Sequence, residues 1–119
     1  MRVFSDAGLR SPALEAAGFI FLSGFSGMRL DGSLPGSVAG QIEAAFDQVF
    51  MVLNASGLTA ASIVEVTSYH IGLSDQMIAM KAEWARRFSA PYPAWTAVEV
   101  VGLAAPGAVV ELRVIAKST

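Results

Sequence analysis

Between Val38 and Ser56 the apolar positions return every three or four residues, as Ile42, Phe46, Val49, Phe50 and Leu53. That spacing predicts an amphipathic helix with one buried face. Ser37 stands where an N-cap belongs, and Gly57 where a left-handed residue closes the C-terminus. A second stripe of Met77, Met80, Trp84 and Phe88 predicts a helix capped by Ser74 and ending near Phe88. Arg86 and Arg87 fall in its last turn, where cations complement the helix dipole and extend into water.

The remaining apolar segments have strand character. Leu14 to Ser23 ends in Phe19-Ile20-Phe21-Leu22 and stops at Gly24, which reads as one buried strand. Ile63 to Ile71 alternates, with Val64, Val66, Ser68 and His70 on one face and Ile63, Glu65, Thr67, Tyr69 and Ile71 on the other. Neither face is wholly polar, so both are expected to be partly covered. Trp95 to Val101 and Ala108 to Ala116 flank the turn Ala105-Pro106-Gly107, which predicts a hairpin. Val3 and Phe4 open a short edge strand. The resulting order, β-β-α-β-α-β-β, implies an α+β fold of two layers, a mixed sheet with two helices on one face. The other face is left as an apolar patch of the kind that marks an interface.

Composition sharpens this expectation. The chain of 119 residues is the length of one domain, spanning 1–119, and buries roughly 65% of its unfolded surface. Yet 54% of its residues are hydrophobic even without glycine, and only 15% are charged. The longest apolar stretch, Ala16 to Leu22, is far short of the roughly 20 residues of a membrane span. The surplus therefore points to subunit contacts, since obligate interfaces resemble a core cut in half. With no cysteine and one histidine, His70, the chain lacks thiolate chemistry and multi-histidine metal sites. The N-terminus has no secretory h-region, which fits a cytoplasmic location. A net charge of -2 without a basic stripe argues against a nucleic-acid partner.

Four segments in register carry a resemblance: Phe21-Leu22-Ser23-Gly24; Leu53 to Gly57 followed by Ile63-Val64-Glu65-Val66-Thr67; Pro93-Ala94-Trp95-Thr96-Ala97-Val98; and Pro106-Gly107-Ala108-Val109-Val110-Glu111-Leu112. Together they resemble the Rid superfamily, also called YjgF-like proteins or reactive-intermediate deaminases, from about Pro12 to Ala116. The resemblance implies a chorismate-mutase-like fold and a homotrimer, its three sheets packed into a central barrel with small-molecule clefts between subunits. It also implies hydrolysis of reactive enamines and imines, without a cofactor. Where deaminating members carry an arginine for the substrate carboxylate, this chain has Trp95; their tyrosine after the early proline corresponds to Ala13, their helical asparagine to Lys81 and a nearby tyrosine to Trp84. Tryptophan cannot replace a bidentate guanidinium. Thr67 to Leu73 and Pro93 to Val98 are similar to the arginine-lacking YjgH-like branch.

The candidate site residues follow. Glu111, in an apolar strand, would handle water and protons if burial raised its pKa; the alternative is an ion pair with Arg113 or Lys81. Ser23 and Gly24 end a strand in a turn able to offer a hydroxyl and backbone N–H groups to an anion, or simply to turn the chain. Backbone near Ala97 would help to hold a polar end. Trp95 reads as an aromatic cleft wall or as core, and Trp84, on its helix's apolar stripe, chiefly as core. Lys81 is either a substitute anion partner or a solvated lysine. His70 fits a hydrogen-bonded interior histidine better than a base for Ser23. The same clefts would serve a non-catalytic metabolite-binding trimer.

Overall fold

The computed structural model describes residues 2–3 and 11–118. They form β1 (Arg2–Val3), β2 (Ala13–Ala16), β3 (Phe19–Leu22), α1 (Val38–Ala55), β4 (Ile63–His70), α2 (Leu73–Arg87), β5 (Ala94–Glu99) and β6 (Val110–Lys117), with a single 3-10 turn at Ala60–Ser62. The strands make one sheet in the order β1-β2-β3-β6-β4-β5. Neighbours are antiparallel except β4 and β5, which run parallel. The expected two-layer α+β arrangement is present. No helix among the described residues is long and apolar enough to cross a membrane.

Helix α1 starts and stops as its sequence dictates. The Ser37 hydroxyl accepts from Gly40 N at 3.0 Å, satisfying an end-of-helix donor, and Gly57 closes the other end at φ +76. Its apolar stripe is buried at Ile42, Phe46, Val49 and Leu53. The ring of Phe46 meets Phe50 and Phe88 edge-on at 6.4 and 6.0 Å. Each such buried apolar side chain contributes roughly 1.5–3 kcal/mol. Opposite them lie Val66 on β4 and Val110, Leu112, Val114 and Ala116 on β6, all fully buried.

Three expectations are corrected, and one falls partly outside the described residues. The Leu14–Ser23 strand is a hairpin, β2 and β3, joined by Ala17 and Gly18. Both residues have positive φ, 55 and 82, as the tightest hairpin turns require. An alanine in that position conceals the turn from a sequence reading. The Trp95–Ala116 hairpin does not form, because β4 separates β5 from β6. A parallel pair needs a crossover of roughly a dozen residues or more, and α2 supplies it between β4 and β5. Ser74 does not cap α2; the cap is Gly72 at φ +80, and Glu99 Oε1 on β5 accepts from Leu73 N at 3.1 Å. The edge strand pairs Arg2 and Val3 with Glu15 and Leu14, while Phe4 lies outside the described residues.

Arg87 departs from the solvated helix end expected of it. Its side chain is 11% exposed, pairs with Glu83 and with Asp47 at 2.8 Å, and lies over the rings of Phe46 and Phe50. Burial opposes its charge, but the hydrogen bonds and attraction of Glu83 and Asp47 outweigh this, so its pKa is raised. Arg86 stays largely exposed and bridges Glu83 and Glu43. The cluster locks α1 to α2.

Candidate functional site

Side chains alternate along β6, so those between the buried positions point away from the helices. Glu111, Arg113, Ile115 and Lys117 thus occupy the sheet's open face. Strand register supplies their neighbours. Tyr69 lies beside Glu111 and Thr67 beside Arg113, while Phe21 lies beside Ile115 and Leu14 beside Phe21. The open face is therefore not uniformly apolar, as expected, but divided. Leu14, Phe21 and Ile115 form an apolar end, and Tyr69, Glu111 and Arg113 form a polar one.

Gly24 meets the polar end. Beyond β3, Phe25 and Leu112 exchange both backbone hydrogen bonds at 2.9 Å, which carries Gly24 alongside Glu111. The carboxyl group lies so close that a Cβ on Gly24 would collide with Oε2 and sit 2.7 Å from Cδ. A side chain at this position would push the flexible Glu111 carboxyl aside. Among the described residues nothing accepts from the Gly24 N–H, and the Glu111 carboxylate has no hydrogen-bond or ion-pair partner. Neither of the ion pairs expected for Glu111, to Arg113 or to Lys81, is formed. Glu111 is half-buried rather than enclosed. With Tyr69, Leu103, Ala104 and Arg113 it lines a cleft of about 360 Å³, within the size range of small-molecule sites.

Ser23 takes a different place. Its hydroxyl donates to the Ser11 carbonyl at 2.6 Å and its N–H to Pro12 O at 2.9 Å, so it fixes the turn. A second recess of about 380 Å³ opens on its side, lined by Met28, Arg29 and Gln48 among others, with Gly24 as the wall shared by both. Its loop is pinned to α1 by Gln48 Nε2, which donates to Met28 O at 3.0 Å. Arg29 Nη1 donates to Ser33 Oγ, which donates to Asp31. The Asp31 carboxyl is held below its ordinary pKa, first by the Ser33 hydroxyl and N–H and then by the Arg29 charge.

The other candidates lie on the opposite side of the sheet. Trp95 faces the helices rather than the Glu111 cleft, stacked on Trp84 at 4.6 Å and 17°. Its Nε1 donates to Ser68 Oγ at 2.9 Å. Ala97 pairs with Ser68 and is half-buried, and Lys81 is exposed on α2. Glu111 and Gly24 thus come together, with Ser23 on the adjoining recess, while Trp95, Trp84, Ala97 and Lys81 lie on the other side. The sheet lies between the two groups.

His70 is fully buried and does not meet Ser23. Its Nδ1 is 2.7 Å from Gln76 Oε1 and its Nε2 2.7 Å from Ser68 Oγ. Gln76 Nε2 donates to Ile71 O and Val109 O, which turns Oε1 toward the ring and assigns the proton to Nδ1. Ser68 accepts from Trp95 and so gives its own hydrogen to Nε2. The row from Gln76 to Trp95 is satisfied at every step, as a buried polar network must be. Gln76 and Gln41 were absent from the sequence reading, since a polar residue on a helix gives no sign of being buried. Gln41 Oε1 accepts from Val109 N at 3.0 Å. Tyr69 was also missed, because its place beside Glu111 depends on strand register.

The family profile described as Endoribonuclease L-PSP matches residues 5–118. The chain belongs to this family. The Rid chain is 38% identical over 108 residues to the RutC family protein YjgH of Escherichia coli, covering 90% of itself and 81% of that relative. A solved structure of protein YjgH superposes with a TM-score of 0.84 at 36% identity, over 90% of this chain and 82% of that one. RidA from an Antarctic Psychrobacter gives 0.85 at 25% identity, over 97% and 93%. The YjgH-like branch and the chorismate-mutase-like fold implied by the sequence motifs are thereby established for this Rid protein.

Proposed function

We propose that this Rid protein hydrolyses a small reactive imine or enamine, releasing ammonia, in a cleft completed by a second copy of the chain. The observation that carries this reading is the Glu111 carboxylate, unpartnered among the described residues and held against Gly24 in the cleft wall. A carboxylate so placed can take a proton from water as the water oxygen adds to the C=N carbon. Returning that proton to the imine nitrogen gives a carbinolamine; its C–N bond then breaks as the hydroxyl proton also passes to nitrogen, so that ammonia leaves and a carbonyl remains. The free Gly24 N–H would hold the polar end of the substrate, and Ser23 keeps the turn in place. No cofactor enters this sequence.

The same reading includes a homotrimer, since the apolar end of the open face is suited to packing against another sheet. In solution the expected mass is three times the 12.5 kDa of the chain.

The test is ammonia release from 2-iminopropionate generated in situ by an amino-acid oxidase. Wild-type protein should accelerate it, and Glu111→Gln should lose about 10²–10⁴-fold of that acceleration. Full turnover in Glu111→Gln would remove Glu111 from the chemistry. A folded trimer that binds small metabolites without any turnover would favour the non-catalytic alternative.

A further inference from the structure

The Glu111 carboxylate lies against Gly24, yet among the described residues its own oxygens make no bond that would hold it there. Its place is set by the backbone of β6 on either side. On one side Leu112 exchanges both hydrogen bonds with Phe25. On the other stands Val109, the residue before the strand, where two buried side chains converge.

Val109 lies opposite Ile71, one step beyond the pairing of His70 with Val110. Ile71 N donates to Val109 O at 3.0 Å. Where the return bond of an antiparallel pair would run, two glutamine amides stand instead. Gln41 Oε1 accepts from Val109 N at 3.0 Å, and Gln76 Nε2 donates to Ile71 O at 2.9 Å. Gln76 Nε2 also donates to Val109 O at 2.9 Å. Each amide is itself held in place. Gln41 Nε2 donates to Gly107 O at 3.3 Å, and His70 Nδ1 donates to Gln76 Oε1. Gln41 comes from α1 and Gln76 from α2, and both are buried. The chain two residues before Glu111 is thus gripped by both helices.

We infer that Gln41 and Gln76 are positioning residues for Glu111, fixing the start of β6 so that the carboxylate stays against Gly24 in the cleft. This rests on the function proposed above and adds the groups in the helix layer on which that carboxylate depends. The apolar side chains of β6 select its register, since a slip of one residue would send Val110 and Leu112 to the open face. Apolar contacts are not directional, whereas hydrogen bonds have a preferred geometry and set the finer placement. A displacement of about 1 Å at a reacting group can cost about 100-fold in rate.

Gln41→Met and Gln76→Met replace each amide by an apolar chain of similar length. Leu53→Ala, near the other end of α1, weakens the core without touching Val109 and serves as the control. All are measured on the full chain. By heteronuclear NMR, Glu111→Gln should move the Gly24 amide resonance. That movement should shrink by about half or more in either methionine background and persist in Leu53→Ala. In ammonia release from 2-iminopropionate, each methionine variant should lose about 10- to 100-fold in kcat with KM within about twofold, while Leu53→Ala keeps both. Gln41→Glu retains an oxygen for the Val109 N–H. It should keep more kcat than Gln41→Met, although its buried charge makes it the less stable of the two. Circular dichroism shows which variants fold, and should one methionine variant fail, the other and Gln41→Glu carry the test.

An undisturbed Gly24 response and kcat in folded methionine variants would overturn the inference, as would equal losses in Leu53→Ala. If wild type shows no turnover, the reaction fails and the Gly24 comparison alone decides the positioning role. If wild type turns over and the methionine variants keep its kcat, the reaction stands and the positioning role fails.

Discussion

The two faces of the sheet treat polar groups in opposite ways. On the helix-covered face Ser68, His70, Gln76 and Trp95 form a closed row in which each donor has an acceptor. No buried side-chain nitrogen or oxygen among the described residues lacks a partner. On the open face Glu111, Arg113 and the Gly24 N–H, within one cleft, are left without partners among the described residues. A single strand, β4, serves both faces, with His70 and Ser68 pointing one way and Tyr69 the other. Burial explains the difference. An unpaired polar group costs about 1–3 kcal/mol when it is cut off from water and little when it is not. Open polar groups are therefore affordable only where solvent or a ligand can reach them.

Substitutions should separate the faces by their effect on stability. The largest effect is expected from Phe46→Ala, which empties the center of the aromatic cluster and should cost about 3–5 kcal/mol in denaturant unfolding. Next is His70→Leu, which leaves Gln76 Oε1 and the Ser68 hydroxyl without their ring partners and should cost about 2–4 kcal/mol. A fully stable His70→Leu protein would show that the row is not holding the helix layer. Trp95→Arg places a guanidinium at this position. Here it forfeits the Trp84 stack and the bond to Ser68, for an expected loss of about 1–3 kcal/mol. Indole fluorescence would report whether Trp84 becomes exposed. The smallest change is expected on the open face, where Glu111→Gln should leave the unfolding midpoint within about 0.5 kcal/mol of wild type. A large loss there would mean that Glu111 is a structural residue and would blur the contrast between the faces.

The turn at Ala17-Gly18 and the place of β5 show where sequence reading stops. A helix announces itself through local periodicity, so the start of α1 at Val38, its Ser37 cap and its Gly57 terminus were legible. Strand partners are chosen over long separations. Val110 to Lys117 could be recognised as a strand, but its insertion between β3 and β4 could not. The Ala105-Pro106-Gly107 turn suggested a local hairpin, and long-range pairing overrode it. The site followed the same division. Glu111, Ser23 and Gly24 were legible as residues, whereas the contact of Gly24 with Glu111 and the arrival of Tyr69 required the register of three strands.

By itself the sequence determined the helices, most of the strands, the two-layer α+β class and, through four motifs in register, the Rid family. These depend on the spacing of residue types along the chain, which local sterics and solvent preference convert directly into structure. Only the tertiary structure decided which way Trp95 faces, that Arg87 is enclosed and that His70 is satisfied by Gln76 and Ser68. It also decided that Glu111 and Arg113 share a cleft with Gly24. Each of these is a relation between segments far apart in sequence, fixed by strand order and helix packing, and no local pattern encodes it.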